Sequence, residues 1–147
     1  NVFFTKQLPA LRLFGYKGGQ RQSGSWSDIK KNNMIWFPKL YKDKKWINKL
    51  IEDDDGKVFI TETQIEPKTG QSISVDSLKY NKKGFFDGTT VLKRIVFAKY
   101  RNNLAQIVYK FEGVFIPHEV SQDKTTRIFK RISTKIKFLE NNNYDYI

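Results

Sequence analysis

Two segments near the C-terminal end constrain the fold most. Val108-Tyr109-Lys110-Phe111-Glu112-Gly113-Val114-Phe115 alternates apolar and polar residues up to a glycine. Arg127-Ile128-Phe129-Lys130-Arg131-Ile132-Ser133-Thr134-Lys135 carries four cations on a β-like run. A period of two puts alternate side chains on opposite faces of a strand. Together the segments predict a twisted sheet with an apolar core on one side and a positive rim on the other.

Charge points to the partner. The 147-residue chain carries a formal charge of +12, which exceeds what solubility requires of a small domain. It is unevenly placed: residues 1–50 hold eleven Lys/Arg against two Asp, and residues 51–100 hold eight of each sign. Residues 101–147 hold eight cations and five anions. A positive field of this kind favours nucleic acid. No basic amphipathic helix or long apolar run suggests a membrane partner. Twelve Phe, seven Tyr and three Trp are enough for a packed core, and the length suits one domain over residues 1–147. The chain starts at Asn rather than Met, which reads as a piece of a larger protein.

Turn chemistry divides the chain. Residues 1–8 read as an extended lead-in interrupted by Pro9, and residues 15–27, with four glycines and three serines, as a loop. Ser27 or Asp28 would cap a short helix through Asn32. Residues 34–37 form a compact apolar run stopped by Pro38. Asp53-Asp54-Asp55-Gly56 sits between apolar runs and predicts a hairpin of residues 46–52 and 57–63, with a helix over 43–52 as the competing assignment. Residues 64–90 read as a long polar excursion with a short helix near 75–80. Strands are expected over 91–100, over 104–115 ending before Pro117, and over 126–138, followed by a frayed Asn-rich tail. The expected class is mainly β (α+β), a curved sheet or β-barrel with one or two short helices.

Much catalytic chemistry is excluded. Without cysteine there are no disulfides, thiolate zinc sites or cysteine nucleophiles, which is compatible with a reducing compartment. His118 is the single histidine, beside no nucleophile elbow, and reads as a surface or partly packed residue. No Walker or dinucleotide pattern is present. Asp55 and Glu62 faintly suggest a magnesium-dependent nuclease core, but Gln64 stands where such a core needs lysine. No cofactor and no metal site is expected.

The glycine-rich loop has binding chemistry. Tyr16, Arg21, Trp26 and Asp28 lie within thirteen residues, with Trp36 close behind. Aromatic rings can stack on a base turned out of its helix, and a carboxylate can accept from its exocyclic amine. Tyr16, Trp26, Asp28 and Trp36 are therefore the candidate base pocket. Lys17, Arg21, Lys30, Lys31, Arg94, Arg127, Lys130 and Arg131 are the candidate contacts to the nucleic-acid backbone, which position without reading sequence. Core aromatics on an ordinary connection are the competing account of the same residues.

Residues 108–115 and the Arg127-Ile-Phe-Lys-Arg-Ile132 run resemble the closing strands of SRA (SET- and RING-associated) domains, which carry a Tyr-x-Tyr-Asp-Gly-hydrophobic-Tyr strand and then a hydrophobic-basic one. Leu92-Lys-Arg-Ile-Val96 is similar to the strand preceding them, and residues 15–19 to the family's glycine-rich loop. The resemblance covers residues 91–135 best. It implies a PUA-like β-barrel that reads modified cytosine in double-stranded DNA by base flipping, with Asp28 or Asp76 matching the pocket aspartate and Tyr16, Trp26 or Trp36 the stacking rings. It also implies a targeting module of a bacterial, cytoplasmic modification-dependent restriction system, fused to or associated with a nuclease or helicase. The alternatives are a β-barrel binding RNA or single-stranded DNA without base preference, the Asp55/Glu62 nuclease, and a protein-interaction module.

Overall fold

The computed structural model describes residues 2–20, 23–28, 32–41, 43–75 and 93–147. Arg21, Lys30, Lys31, Asp76 and the helix expected near 75–80 lie outside the described residues, apart from Val75.

The hairpin drawn from Asp-Asp-Asp-Gly is present. Trp46–Glu52 and Val58–Gln64, here β4 and β5, pair antiparallel in register from Trp46 opposite Gln64 to Glu52 opposite Val58. The aspartates build its turn: Asp53 Oδ1 accepts from the backbone N–H of Asp55 and of Lys57, and Gly56 takes a φ of +79°. Residues 46–52 pair along their whole length with β5, and the helical assignment fails.

Ser25–Asp28 (β2), Asn33–Trp36 (β3), Lys93–Arg101 (β6), Ile107–Val120 (β7) and Thr126–Ser133 (β8) complete the main path, in the order β2-β3-β6-β7-β8-β5-β4. Phe3–Phe4 (β1) adds to β7. Among the described strands the pairings are antiparallel except β3 with β6, whose parallel run is continued by a bridge of Lys39 with Lys99. Alternation divides the side chains between two cores. Ile35, Phe37, Ile95, Phe97, Tyr109 and Val114 pack on one face with Ala10, Leu11 and Phe14. Trp36, Val58, Ile60, Val96, Ala98, Phe115 and Phe129 pack on the other.

The second face is the inside of a strong curl. Neighbouring strands lie about 4.8 Å apart, so strands three places apart in a flat sheet would be separated by about 14 Å. Yet the rings of Trp36 on β3 and Phe129 on β8 are 5.5 Å apart. The curl brings the two ends of the path together without joining them as strands. Beyond β3 the chain runs along β6, with Lys99 N–H donating to Pro38 O and Leu40 N–H to Lys99 O. Asn48 of β4 reaches this segment with one bond, Nδ2 to the Lys39 carbonyl at 3.4 Å. Among the described residues the sheet is therefore curved and open at this seam: of the expected curved sheet or β-barrel, it is the curved sheet that forms.

A bulge shapes the middle strands. Register shifts between Val96 and Phe97 against β7, where Gly113 takes a φ of +124°. A Cβ there would lie 2.4 Å from the Ser133 carbonyl oxygen, so only glycine fits.

Four expectations are corrected. Pro9 does not interrupt a strand: it occupies the first turn of a helix, Gln7–Leu13 (α1), where no backbone N–H bond is lost. Gln7, Ala10, Leu11 and the following Phe14 form its buried stripe, and Gly15 at φ +92° follows its end. Ser25–Asp28 is strand rather than loop or helix start, because it pairs with β3. Pro117 does not end β7, which continues to Val120 across a register shift beside it. The tail after Glu140 is not frayed. Ile136–Phe138 (β9) and Tyr144–Tyr146 (β10) form a hairpin, with Asn141 and Asn142 both at φ 59°. That double positive φ suits asparagine and matches the twist of a hairpin. The hairpin lies over the first core, where Phe14 and Tyr144 meet edge to face at 4.9 Å.

Candidate functional site

The open seam holds a cavity of about 490 Å³, partly open to solvent. One wall comes from β3 and the chain after it (Met34, Trp36, Lys39), the other from β4 and β5 (Trp46, Asn48, Glu62). Gln7 of α1 and the Ser23-Gly24-Ser25 stretch complete it, with Lys45 and Lys99 among the lining cations. Its volume lies within the range of about 300–1,000 Å³ typical of small-ligand sites.

Two arginines and one carboxylate form the floor and what lies beneath it. Glu62 and Arg127 are opposed in the β5–β8 register, and Arg127 donates to Glu62 Oε1. Arg94 Nη1 lies 3.6 Å from the other oxygen, Glu62 Oε2. The guanidinium of Arg94 also sits 4.5 Å from the Trp36 ring centre and 4.0 Å from that of Phe129. Burial pushes both arginines below their ordinary range, and the Glu62 charge opposes that shift. Among the described residues the cluster brings two guanidinium groups onto one carboxylate.

This burial corrects two assignments. Arg94 is 3% exposed and Arg127 0%, so neither can meet a phosphate at the surface. Their cationic side chains point to the inside of the curl, where Glu62 compensates them. Glu62 is equally unsuited to a nuclease role, since its carboxylate is engaged by both arginines, while Asp55 belongs to the hairpin turn. Among the described residues no group of three His, Cys, Asp or Glu could hold a metal ion.

The four candidate pocket residues separate. Trp36 lines the cavity. Tyr16 and Trp26 instead meet edge to face at 5.4 Å and pack on the first core. Asp28 accepts a hydrogen bond from the Tyr144 hydroxyl at 3.0 Å. The cause is the β2–β3 register: Trp26 lies opposite Ile35, and Ser25 opposite Trp36, so the two tryptophans face opposite sides of the sheet. Tyr16 and Trp26 still bear on the site indirectly. They hold the two ends of the glycine-rich segment, and Gly24 O accepts from Phe37 N–H at 2.8 Å beside the cavity.

Sequence reasoning missed Trp46, Asn48, Gln7, Lys39, Lys45 and Lys99. The available signal was the hairpin itself, which already placed Trp46, Asn48 and Glu62 at alternate positions of two paired strands. At the rim, Lys39 Nζ bonds Asp43 Oδ2 at 3.1 Å. Burial raises the Asp43 carboxyl pKa, but bonds from Lys39 and the Lys44 N–H, with the charges of Lys39 and Lys99, outweigh it and hold the group below its usual range. Of the remaining backbone candidates, Lys17 is exposed, while Lys130 and Arg131 are half-buried on β8. Arg131 Nη1 donates to the Glu112 carbonyl at 3.3 Å. Among the described residues no helix is long and apolar enough to cross a membrane.

No curated protein matches the chain. Among solved structures it is similar to one titled "The 5-Hydroxymethylcytosine-Specific Restriction Enzyme AbaSI", with a TM-score of 0.64 and 28% identity. That match covers 91% of this chain but only 39% of the other, so the chain spans well under half of that enzyme. The family model of the SET and RING associated domain matches residues 1–138. With that match over nearly the whole sequence, on a curved β-sheet carrying the closing strands expected of such domains, the chain belongs to the SRA family.

Proposed function

We propose that this SRA chain is the DNA-recognition module of a restriction-type system and that it reads a modified cytosine turned out of the duplex into the seam cavity. The observation that carries the reading is the cavity itself. It is walled by two indoles, Trp36 and Trp46, with Arg94 and Glu62 in its lining and Lys39, Lys45 and Lys99 around it. Indole faces suit stacking on a flipped base, and a single extruded base needs a concave site of this size. Similarity to a 5-hydroxymethylcytosine-specific restriction enzyme supports modified cytosine as the ligand class. Lys39, Lys45 and Lys99 at the cavity, with Lys17, Lys130 and Arg131 elsewhere, would meet backbone phosphates, as would Arg21, Lys30 and Lys31. The nuclease or helicase that acts on the recognised site would be fused to this module or associated with it.

Fluorescence anisotropy with unmodified, 5-methylcytosine and 5-hydroxymethylcytosine duplexes at two salt concentrations tests this. A preference of about tenfold, or roughly 1.4 kcal/mol, for one modified duplex supports it. Equal binding that collapses with salt would leave only a basic surface.

A further inference from the structure

The family match ends at residue 138 and so leaves out β10, yet β10 is tied to a strand that runs to the cavity. The Tyr144 hydroxyl donates to Asp28 Oδ2 at 3.0 Å and accepts from Asn33 Nδ2 at 3.1 Å. Asp28 and Asn33 are themselves opposed in the β2–β3 register, so one hydroxyl bridges the last pair of those strands. Neighbouring contacts fix where that hydroxyl sits. The Tyr144 ring meets Phe14 at 4.9 Å, Lys93 Nζ lies 4.5 Å from the Tyr146 ring centre, and the Ile147 N–H donates to Lys135 O at 3.1 Å. β2 is four residues long and stands at the end of the sheet path. Its other end, Ser25, lines the cavity with Ser23 and Gly24, about 10 Å from Asp28 at the usual rise of a strand. Elements held by few contacts are the ones that open most easily.

Resting on the base-pocket reading above, we infer that β10 is a clamp on one wall of the cavity and that Tyr144 is a positioning residue for base reading. Tyr144 packs on the first core, on the sheet face away from the cavity, and acts through Asp28 and β2. Held at Asp28, β2 keeps the Ser23-Gly24-Ser25 stretch in place, where Gly24 O accepts from Phe37 N–H at 2.8 Å. Released there, the strand pivots about its β3 pairing and the wall loses its fixed position. A site fitted to one base is degraded by a looseness of about 1 Å. Contacts from long lysine side chains to phosphates tolerate the same shift, because they position without reading a base. The clamp therefore acts on discrimination between bases and leaves salt-dependent affinity alone.

The test compares the chain with its Tyr144→Phe, Asp28→Ala, Asp28→Asn and Thr63→Val variants on 5-hydroxymethylcytosine, 5-methylcytosine and unmodified duplexes. Thr63→Val is the control: it removes a hydrogen bond to Thr126 Oγ1 at 2.7 Å, between β5 and β8. Thermal melts show which variants are folded at the assay temperature. Wild type should prefer one modified duplex by about tenfold or more. Tyr144→Phe and Asp28→Ala should each cut that preference to about twofold or less, with affinity for unmodified DNA within about twofold of wild type. Asp28→Asn keeps an acceptor for the Tyr144 hydroxyl and should keep the preference, as should Thr63→Val. Folded Tyr144→Phe with the wild-type preference overturns the clamp while the base pocket stands. An equal loss in Thr63→Val also overturns it, as a general effect of destabilisation. So does a loss in Asp28→Asn with none in Tyr144→Phe, which puts Asp28 on the base itself. If wild type shows no preference for either modified duplex, the pocket reading and this inference fall together. Should Tyr144→Phe not fold, Asp28→Ala decides by the same criterion, with Asp28→Asn beside it.

Discussion

Arg94 Nη1 lies 3.6 Å from Glu62 Oε2 although their strands are three places apart in the sheet. The contact exists because the sheet curls, and it lines the seam that the curl leaves open. Charge compensation here and cavity formation are two consequences of one geometry.

Glu62→Ala should therefore destabilise the fold severely. It leaves two buried guanidinium groups without their carboxylate, and breaking a buried ion cluster from one side costs about 3–5 kcal/mol. Urea unfolding followed by tryptophan fluorescence would measure the loss. A cost below about 1 kcal/mol would mean that solvent already reaches the cluster.

Gly113→Ala should be among the least tolerated glycine changes. Its φ of +124° excludes most side chains, and the new Cβ would meet a backbone oxygen at 2.4 Å. Gly70 is the control, at φ +71° with no neighbour within 4 Å of the place a Cβ would take. There only the left-handed backbone conformation costs, about 1–2 kcal/mol. Parallel melts of the two variants should rank Gly113→Ala clearly lower.

Tyr144→Phe removes a hydroxyl that donates to Asp28 and accepts from Asn33 Nδ2 at 3.1 Å. The expected loss at neutral pH is about 1–2 kcal/mol. Burial raises the Tyr144 pKa; the Asp28 bond and charge raise it further, while the Asn33 bond opposes them. A phenol whose folded pKa is raised contributes stability below its unfolded value of about 10 and loses it as pH rises beyond that. The gap between wild type and Tyr144→Phe should narrow as pH rises above that value in denaturant titrations. Tyr100, raised by burial and by its bond to Glu112, titrates with the same sign in both proteins and cancels from the comparison.

Lys45→Ala and Lys99→Ala should weaken binding to all duplexes alike and reduce the salt slope by about one each if each side chain meets one phosphate. Binding isotherms over a salt series would show it. A change in base preference instead would place these lysines on the base rather than the backbone.

Local chemistry was readable where one residue type had one job. Asp-Gly between apolar runs identified the β4–β5 hairpin, and the strands of β6, β7 and β8 were legible, although β7 runs on past Pro117 and the strand expected over 126–138 divides into β8 and β9. The same local grammar was available at Asn141-Asn142, where two positive-φ asparagines make a hairpin turn that reads as a frayed tail from composition alone. Pro9 and Pro117 misled because proline is forbidden only where its N–H is needed, and a helix's first turn and a bulged strand do not need it.

The sequence by itself determined a basic, β-rich chain with its strand periodicity and the family its closing strands resemble. Only the tertiary structure decided which aromatics and cations belong together. Trp26 and Trp36 look equivalent in sequence, but pairing with opposite-facing partners sends them to opposite sides of the sheet. Arg94 and Arg127 look like a phosphate-binding rim until the curl turns them inward onto Glu62. Periodicity assigns a side chain to a face, whereas the curvature of the whole sheet decides whether that face is surface, core or cavity.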